Sequence, residues 1–240
     1  MLKIHHHKTR QRKVVELQAQ IRQWERGSPL VASTAHSTGC AALDALLPAG
    51  GVRPGSLVEW VGEGLASGAG TLSLVVAREV CPQGQPIVLI DPRRQIYPAA
   101  LAALGWDLAR VVMIRPNCER ETLWACEEAL RCEAVGVVWA QLDDCSGTPF
   151  RRLRLAAEQS SGMGLLLRPE KSLQQPSWAE ARLVVQPQPS LDESLRLRVE
   201  VVYRQGGSGH SIADIQIDSM RGTIHEVSER RHTNFMSLVS

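Results

Sequence analysis

The sequence predicts an α/β fold, with a mostly parallel central sheet flanked by helices and an antiparallel C-terminal hairpin extending that sheet. Three observations carry this. Short apolar runs such as Pro86–Asp91 (PIVLID) and Val135–Ala140 suit strands buried on both faces. Between residues 57 and 167 such runs alternate with helical patterns. After residue 180 the pattern changes to apolar–polar alternation, in two runs separated by Gln205–Gly209 (QGGSG).

The elements follow in order. Residues 12–26 place Val14, Leu17, Ile21 and Trp24 at intervals of three, four and three, the stripe of an amphipathic helix. Ser28-Pro29 ends it. The stripe suits packing on its own domain or docking on a partner chain, and the four side chains are the candidate partner-binding set. Leu57–Val61 reads as a strand, followed by a Gly-rich loop and a helix over about 71–80. Pro86–Asp91 is a strand, Tyr97–Leu104 a helix, Val111–Arg115 a strand and Glu119–Cys132 a helix. Val135–Ala140 is a strand. Thr148–Gln159 is a helix with Pro149 near its first position. Gly164–Leu167 is a strand, and 169–180 (PEKSLQQPSWAE) reads as an irregular surface loop. The hairpin then uses Leu197–Tyr203 and Ser211–Asp218. The expected organisation is a basic arm and helix over 1–30, a core over 31–220 and a flexible tail over 221–240.

Composition bounds the function. The chain has 240 residues, 44% hydrophobic and 22% charged, which is ordinary globular usage. Net charge is +2, yet residues 1–27 hold seven Lys/Arg against two Asp/Glu. That arm is a solvated tail or an approach to an acidic partner or nucleic acid. The six cysteines form no Cys-x-x-Cys pair, and no histidine lies at zinc-ligand spacing from them, so no metal site is expected. They read as buried free thiols in a reducing cytoplasm. No apolar run approaches the ~18 residues of a membrane span.

Residues 62–71 are the candidate nucleotide site: Gly62, Gly64, Gly68, Gly70 and Thr71 in the run GEGLASGAGT, after a strand and before a helix. A phosphate-binding loop needs Gly-x-x-x-x-Gly-Lys-[Ser/Thr], whose backbone N–H groups, lysine and hydroxyl hold the phosphates and Mg²⁺. Aligned on Gly68, Ala69 takes the lysine position and Gly70 the hydroxyl position. Five residues separate Gly62 from Gly68, one more than the motif allows. No lysine occurs between residues 14 and 170 that could substitute. Glu63 adds negative charge where phosphate would sit. No catalytic residue and no cofactor is therefore expected.

Residues 37–74 (STGCAALDALLPAGGVRPGSLVEWVGEGLASGAGTLSL) and 90–116 (IDPRRQIYPAALAALGWDLARVVMIRP) resemble, motif by motif, the opening of the RecA ATPase core. The resemblance covers about 37–168 and implies a RecA-like P-loop fold. It also exposes two further losses. Arg93 stands where the family has its general-base glutamate, and Trp139-Ala140-Gln141 ends the strand that should carry the Mg²⁺-associated aspartate. Over about 30–217 the chain is most similar to ImuA-like proteins, through the same opening, RRLRLAA at 151–157, LLLRP at 165–169, WAEARLVVQP at 178–187 and YRQGG at 203–207.

This resemblance implies a non-catalytic accessory protein of SOS-induced translesion DNA synthesis. It implies protein–protein contacts with an ImuB-like inactive relative of Y-family polymerases and with an alternative C-family polymerase, and RecA is a further candidate contact. The expected location is the cytoplasm, with nucleoid association on DNA damage. The rival readings are a SulA-type cell-division inhibitor and an active RecA- or KaiC-like ATPase. The loop after the last parallel strand brings Arg168, Lys171 and Trp178 forward as candidate DNA contacts, with a solvated loop as the competing reading.

Overall fold

The computed structural model describes residues 34–63, 67–190, 194–205, 211–218 and 221–227. The expected helix carrying Val14, Leu17, Ile21 and Trp24 lies outside those residues, as do Gly64, the turn 206–210 and the tail from 228. Every element below belongs to the unit Ala35–Ser240.

That unit is one nine-stranded sheet in the order β3-β2-β4-β5-β1-β6-β7-β8-β9. Its strands are β1 Leu57–Val61, β2 Ile87–Ile90, β3 Val111–Ile114, β4 Val137–Gln141, β5 Met163–Arg168, β6 Ala181–Gln188, β7 Leu195–Arg204, β8 Ile212–Asp218 and β9 Thr223–Glu226. The first six pair parallel. The last three join antiparallel, so the expected mixed sheet is the fold observed. β1, β2 and β4 are buried at every position, and their sequences are apolar apart from Glu59 in β1 and Gln141 at the end of β4.

The helices are α1 Ala41–Asp44, α2 Ala69–Val80, α3 Pro98–Ala103, α4 Glu119–Arg131 and α5 Thr148–Ser160. One core lies on the α1–α3 side of the sheet and gathers Leu43, Trp60, Leu72, Val76, Leu101, Leu183 and Ile215. The other lies under α4 and α5, where Cys126, Leu130, Phe150 and Leu153 meet Leu57, Ile90 and Leu166. In α5 the buried residues Phe150, Leu153 and Ala157 recur every three or four positions, which is the apolar stripe that seats it.

Three segments differ from the sequence reading. Ala181–Gln188 is a full strand, inserted between β1 and β7. The supposed tail begins later, because Thr223–Glu226 pairs with β8 as the last strand. Residues 169–180 lie largely at the surface, as expected, but are an ordered crossover and not an irregular loop. β5 ends with Arg168 beside Val61, and β6 starts with Ala181 beside Val58. The connection must therefore travel back along the sheet, and it does so through a short 3-10 helix, Glu170–Gln174.

Candidate phosphate-loop site

The Ser-Thr-Gly and Leu-Asp motifs before β1 are one structural unit. Asp44 at the end of α1 accepts from Thr38 N at 2.8 Å, Thr38 Oγ1 at 2.7 Å and Ser37 Oγ at 2.6 Å. Gly39, at φ +82°, makes the turn between them. The carboxylate thus satisfies local backbone and hydroxyl donors that would otherwise compete for water.

β1 delivers the chain to the candidate phosphate loop as expected. Gly62 N donates to Arg168 O at 3.3 Å, and a Cβ at Gly62 would collide with Ser67 Oγ, so the loop folds back tightly on itself. Gly68 caps α2 in the left-handed region at φ +76°. In a working site, the N–H groups of this first helical turn would face phosphate. Here the turn faces side chains. A Cβ on Gly68 would run into Leu197 Cδ2, with Leu197 Cδ1 at 3.2 Å. Leu197, on β7, is itself fully buried. Ala69, in the lysine position, is 0% exposed and belongs to the core. A Cβ on Gly70 would lie 3.6 Å from Leu167 Cδ2, an ordinary contact, and Gly70 and Thr71 are half-buried. Four of the five candidate residues thus cluster around the N-terminus of α2; Leu197 from the C-terminal half of the sheet lies against Gly68, while Gly62, like Gly70 and Thr71, is half-buried.

The other catalytic positions have also been put to structural use. Asp91, at the end of β2, is fully buried and accepts from Gln95 N at 3.0 Å and Ile96 N at 2.9 Å, which holds the turn that follows. Arg93, in the base position, pairs with Asp143, with Nε 3.2 Å from Oδ2. Ala140, where the strand should end in the Mg²⁺-associated aspartate, is fully buried, and Gln141 Nε2 beside it donates to Gln95 Oε1 at 3.4 Å. A pocket of about 230 Å³ opens at this edge, lined by Pro92, Arg93, Asn117, Thr122, Gln141 and Asp143 among others. It is smaller than the roughly 300–1,000 Å³ typical of small-molecule sites. Among the described residues, no cluster of His, Cys, Asp or Glu could hold a metal ion.

The three candidate DNA contacts separate. Arg168 is 1% exposed and points inward, its Nε 3.6 Å from Glu59 Oε1 and its Nη2 3.0 Å from both Cys145 O and Gln175 Oε1. It is a core cation, out of reach of a nucleic acid. Lys171 and Trp178 are exposed. Trp178 carries the Arg151 guanidinium over its ring, 6.0 Å from the centroid.

Sequence reasoning did not find the centre of this region, which is Glu59. This carboxylate, 0% exposed in the middle of β1, receives Arg182 Nε at 2.7 Å and Ser177 Oγ at 2.5 Å besides its pairing with Arg168. Arg182 Nη1 also donates to Gln175 O at 2.9 Å. Two buried arginines around one buried carboxylate tie the 169–180 crossover to the sheet. The signal in the sequence was a lone Glu inside LVEWV, since a charge in a strand buried on both faces requires a partner. The thiol of Cys145 sits beside this cluster. Burial pushes it up to about 11, partly opposed by the Arg168 charge.

Among known proteins, the RecA N-terminal domain model matches residues 25–145, just over half of the chain. Protein ImuA of Caulobacter vibrioides is 29% identical over 136 residues, which is 55% of this chain and 56% of that protein. Protein RecA of Clostridium acetobutylicum is 34% identical over 102 residues, 42% of this chain and 29% of that protein. The chain therefore spans about half, or less, of the curated relatives it matches. A solved structure, the RadB recombinase, superposes with a TM-score of 0.63 at 17% identity, covering 80% of this chain and 99% of that one. This likeness establishes the fold.

Proposed function

The chain belongs to the RecA N-terminal domain family, and from that premise we propose that it is a non-catalytic, ImuA-like accessory protein of damage-induced translesion DNA synthesis. The observation that carries the reading is the buried, apolar start of α2 at Gly68 and Ala69. Phosphate binding there needs open N–H groups and a cation. Leu197 occupies the approach to Gly68, and a buried Ala69 stands where the cation belongs. In-line hydrolysis also needs a base and a metal-holding carboxylate. Arg93 bound to Asp143, and Gln141, supply neither.

A RecA-shaped body without the chemistry still offers surfaces, because interface complementarity depends on backbone layout and apolar patches rather than on a catalytic lysine. The proposed partners are an ImuB-like Y-family polymerase relative and, through it, a C-family polymerase, with RecA as a third. The location that goes with this role is the cytoplasm, on the nucleoid after damage. No helix among the described residues is long and apolar enough to cross a membrane.

Two measurements test the proposal. The purified chain should show no Mg²⁺-dependent ATP turnover above background, with or without single-stranded DNA. It should also co-purify with an ImuB-like Y-family polymerase relative after DNA damage. Turnover that vanishes on mutating the Gly68–Gly70 loop would overturn the non-catalytic part, and failure to co-purify would overturn the accessory part.

A further inference from the structure

Arg168 and Arg182 approach Glu59 from the two strands that flank β1. The register sets Arg182 beside Glu59 on one side and Leu166, two residues before Arg168, on the other. Strand alternation places all three charged side chains on the α4–α5 face of the sheet, the face of Leu57 and Leu166. All three are buried. The two guanidinium groups use the same two partners. Arg182 donates Nε to Glu59 and Nη1 to Gln175 O. Arg168 sets its Nε 3.6 Å from Glu59 and gives Nη2 to Gln175 Oε1 and Cys145 O. Each guanidinium then has one terminal nitrogen left over. Arg168 Nη1 and Arg182 Nη2 are buried donors without an acceptor among the described residues. Buried donors are normally satisfied, so the pair requires an explanation.

Charge is out of balance in the same place. Two buried cations share one buried carboxylate, which leaves one positive charge in excess. The next carboxylates do not remove it. Glu180 is committed to Arg53, a neutral pair, and Asp144 is exposed and accepts from Gln175 Nε2. The Phe150 ring centroid lies 5.9 Å from Arg168 Cζ and offers only the attraction of a π face. An unbalanced buried cation is strongly destabilising. The donor excess and the charge excess therefore call for one and the same partner, an acceptor that carries negative charge. Water would accept from the two nitrogens and leave the charge unbalanced. A carboxylate or phosphate on a macromolecule would have to reach nitrogens that present almost no surface. A small monovalent anion meets both demands.

We propose that the Glu59–Arg168–Arg182 cluster binds a small monovalent anion, of chloride's size and charge, that accepts from Arg168 Nη1, Arg182 Nη2 or both. Bound there, the anion completes the polar tie between the 169–180 crossover and the sheet, so its occupancy sets how firmly that crossover is held. The site stands apart from the accessory reading above and needs no partner protein.

The test uses the full chain in sodium chloride and sodium gluconate, mixed at constant ionic strength. The melting temperature should rise with chloride by about 5 °C or more and then level off, as binding to the folded state alone requires. Bromide should replace chloride. Arg182→Met removes the excess charge and leaves Glu59 and Arg168 as a neutral pair, so the chloride dependence should vanish. Arg182→Lys keeps the charge and should keep a dependence. Crystals of the parent grown in bromide need no variant, and an anomalous peak within hydrogen-bond distance of Arg168 or Arg182 is expected. A melting temperature equal in chloride and gluconate would overturn the proposal. So would a chloride dependence that Arg182→Met leaves intact, which places the anion elsewhere. A bromide map without a peak at the cluster would also overturn it, and would assign the two nitrogens to water.

Discussion

Leu197 of β7 lies directly against Gly68, the residue that caps the helix where a RecA-type protein would hold phosphate. The two are 129 positions apart in the chain and meet because β7 is added to the sheet beside β6 and places its buried face over the start of α2. The left-handed backbone strains any side chain at the cap, and a Cβ there would also force Leu197 to move. Gly68→Ala adds a Cβ at φ +76° and drives it into Leu197. The expected loss is about 2–4 kcal/mol, combining left-handed backbone strain with overpacking. Urea denaturation would measure it, and an unchanged midpoint would show that the cap is loose.

Restoring the missing lysine should not restore chemistry. Ala69 is fully buried, so Ala69→Lys places a long cationic side chain in an apolar core. A loss of about 3–5 kcal/mol is expected, with no gain in ATP affinity. A variant that keeps the parent's melting temperature and binds ATP by calorimetry would contradict the covered-site reading.

Removing the charge of Glu59 should be among the most damaging single changes. Glu59→Gln leaves Arg168 and Arg182 buried without a counter-ion. The expected cost is about 3–5 kcal/mol. Replacing Glu59 and Arg182 together by Met should cost less than the sum of Glu59→Met and Arg182→Met, because one of the two orphaned cations goes with its partner while Arg168 remains. A double-mutant cycle on unfolding free energies decides this, and simple additivity would count against the cluster.

Thiol reactivity should divide the six cysteines. Cys118 and Cys132 are exposed, and Cys40, Cys81, Cys126 and Cys145 are buried. At pH 8 a maleimide should modify two thiols quickly in the native protein and all six in denaturant, counted by mass spectrometry. The same burial links stability to alkaline pH. Cys145 is raised to about 11 from an ordinary value of 9.0, and burial pushes Cys126 up too. Above pH 9 the unfolded chain releases these protons while the folded chain keeps them. Stability is therefore full below pH 9 and falls as pH rises toward 11. Cys145→Ala should flatten that fall.

In the N-terminal segment, Trp24→Ala should weaken partner binding about tenfold to a hundredfold while shifting the melting temperature by no more than a few degrees. Isothermal titration against the co-purified partner measures the first and calorimetry the second. Undiminished binding would remove Val14, Leu17, Ile21 and Trp24 from the docking set.

Most strands and helices of the parallel half were legible because each announces itself locally. IVLI and VVWA are apolar runs bounded by turn residues, and α4 and α5 carry their buried residues at helical spacing. β6 was missed because RLVVQPQ has no clean alternation and contains Pro187. It is a strand because β1 and β7 pair with it on both sides. β9 was missed because four residues carry too little pattern to register. Arg168 was misread for a related reason. A cation at a strand end normally faces water, and nothing within 100 residues in the chain reveals that Glu59 lies beside it.

By itself the sequence determined the fold class, the place of the phosphate loop and the absence of a lysine from it, since each depends on residue identity at fixed local spacing. Only the tertiary structure decided that Leu197 covers Gly68, that Glu59 binds Arg168 and Arg182, and that Trp178 and Arg151 share an open face. These are contacts between elements far apart in the chain. Local pattern sets which residues are apolar or charged, but sheet order and register set which of them meet.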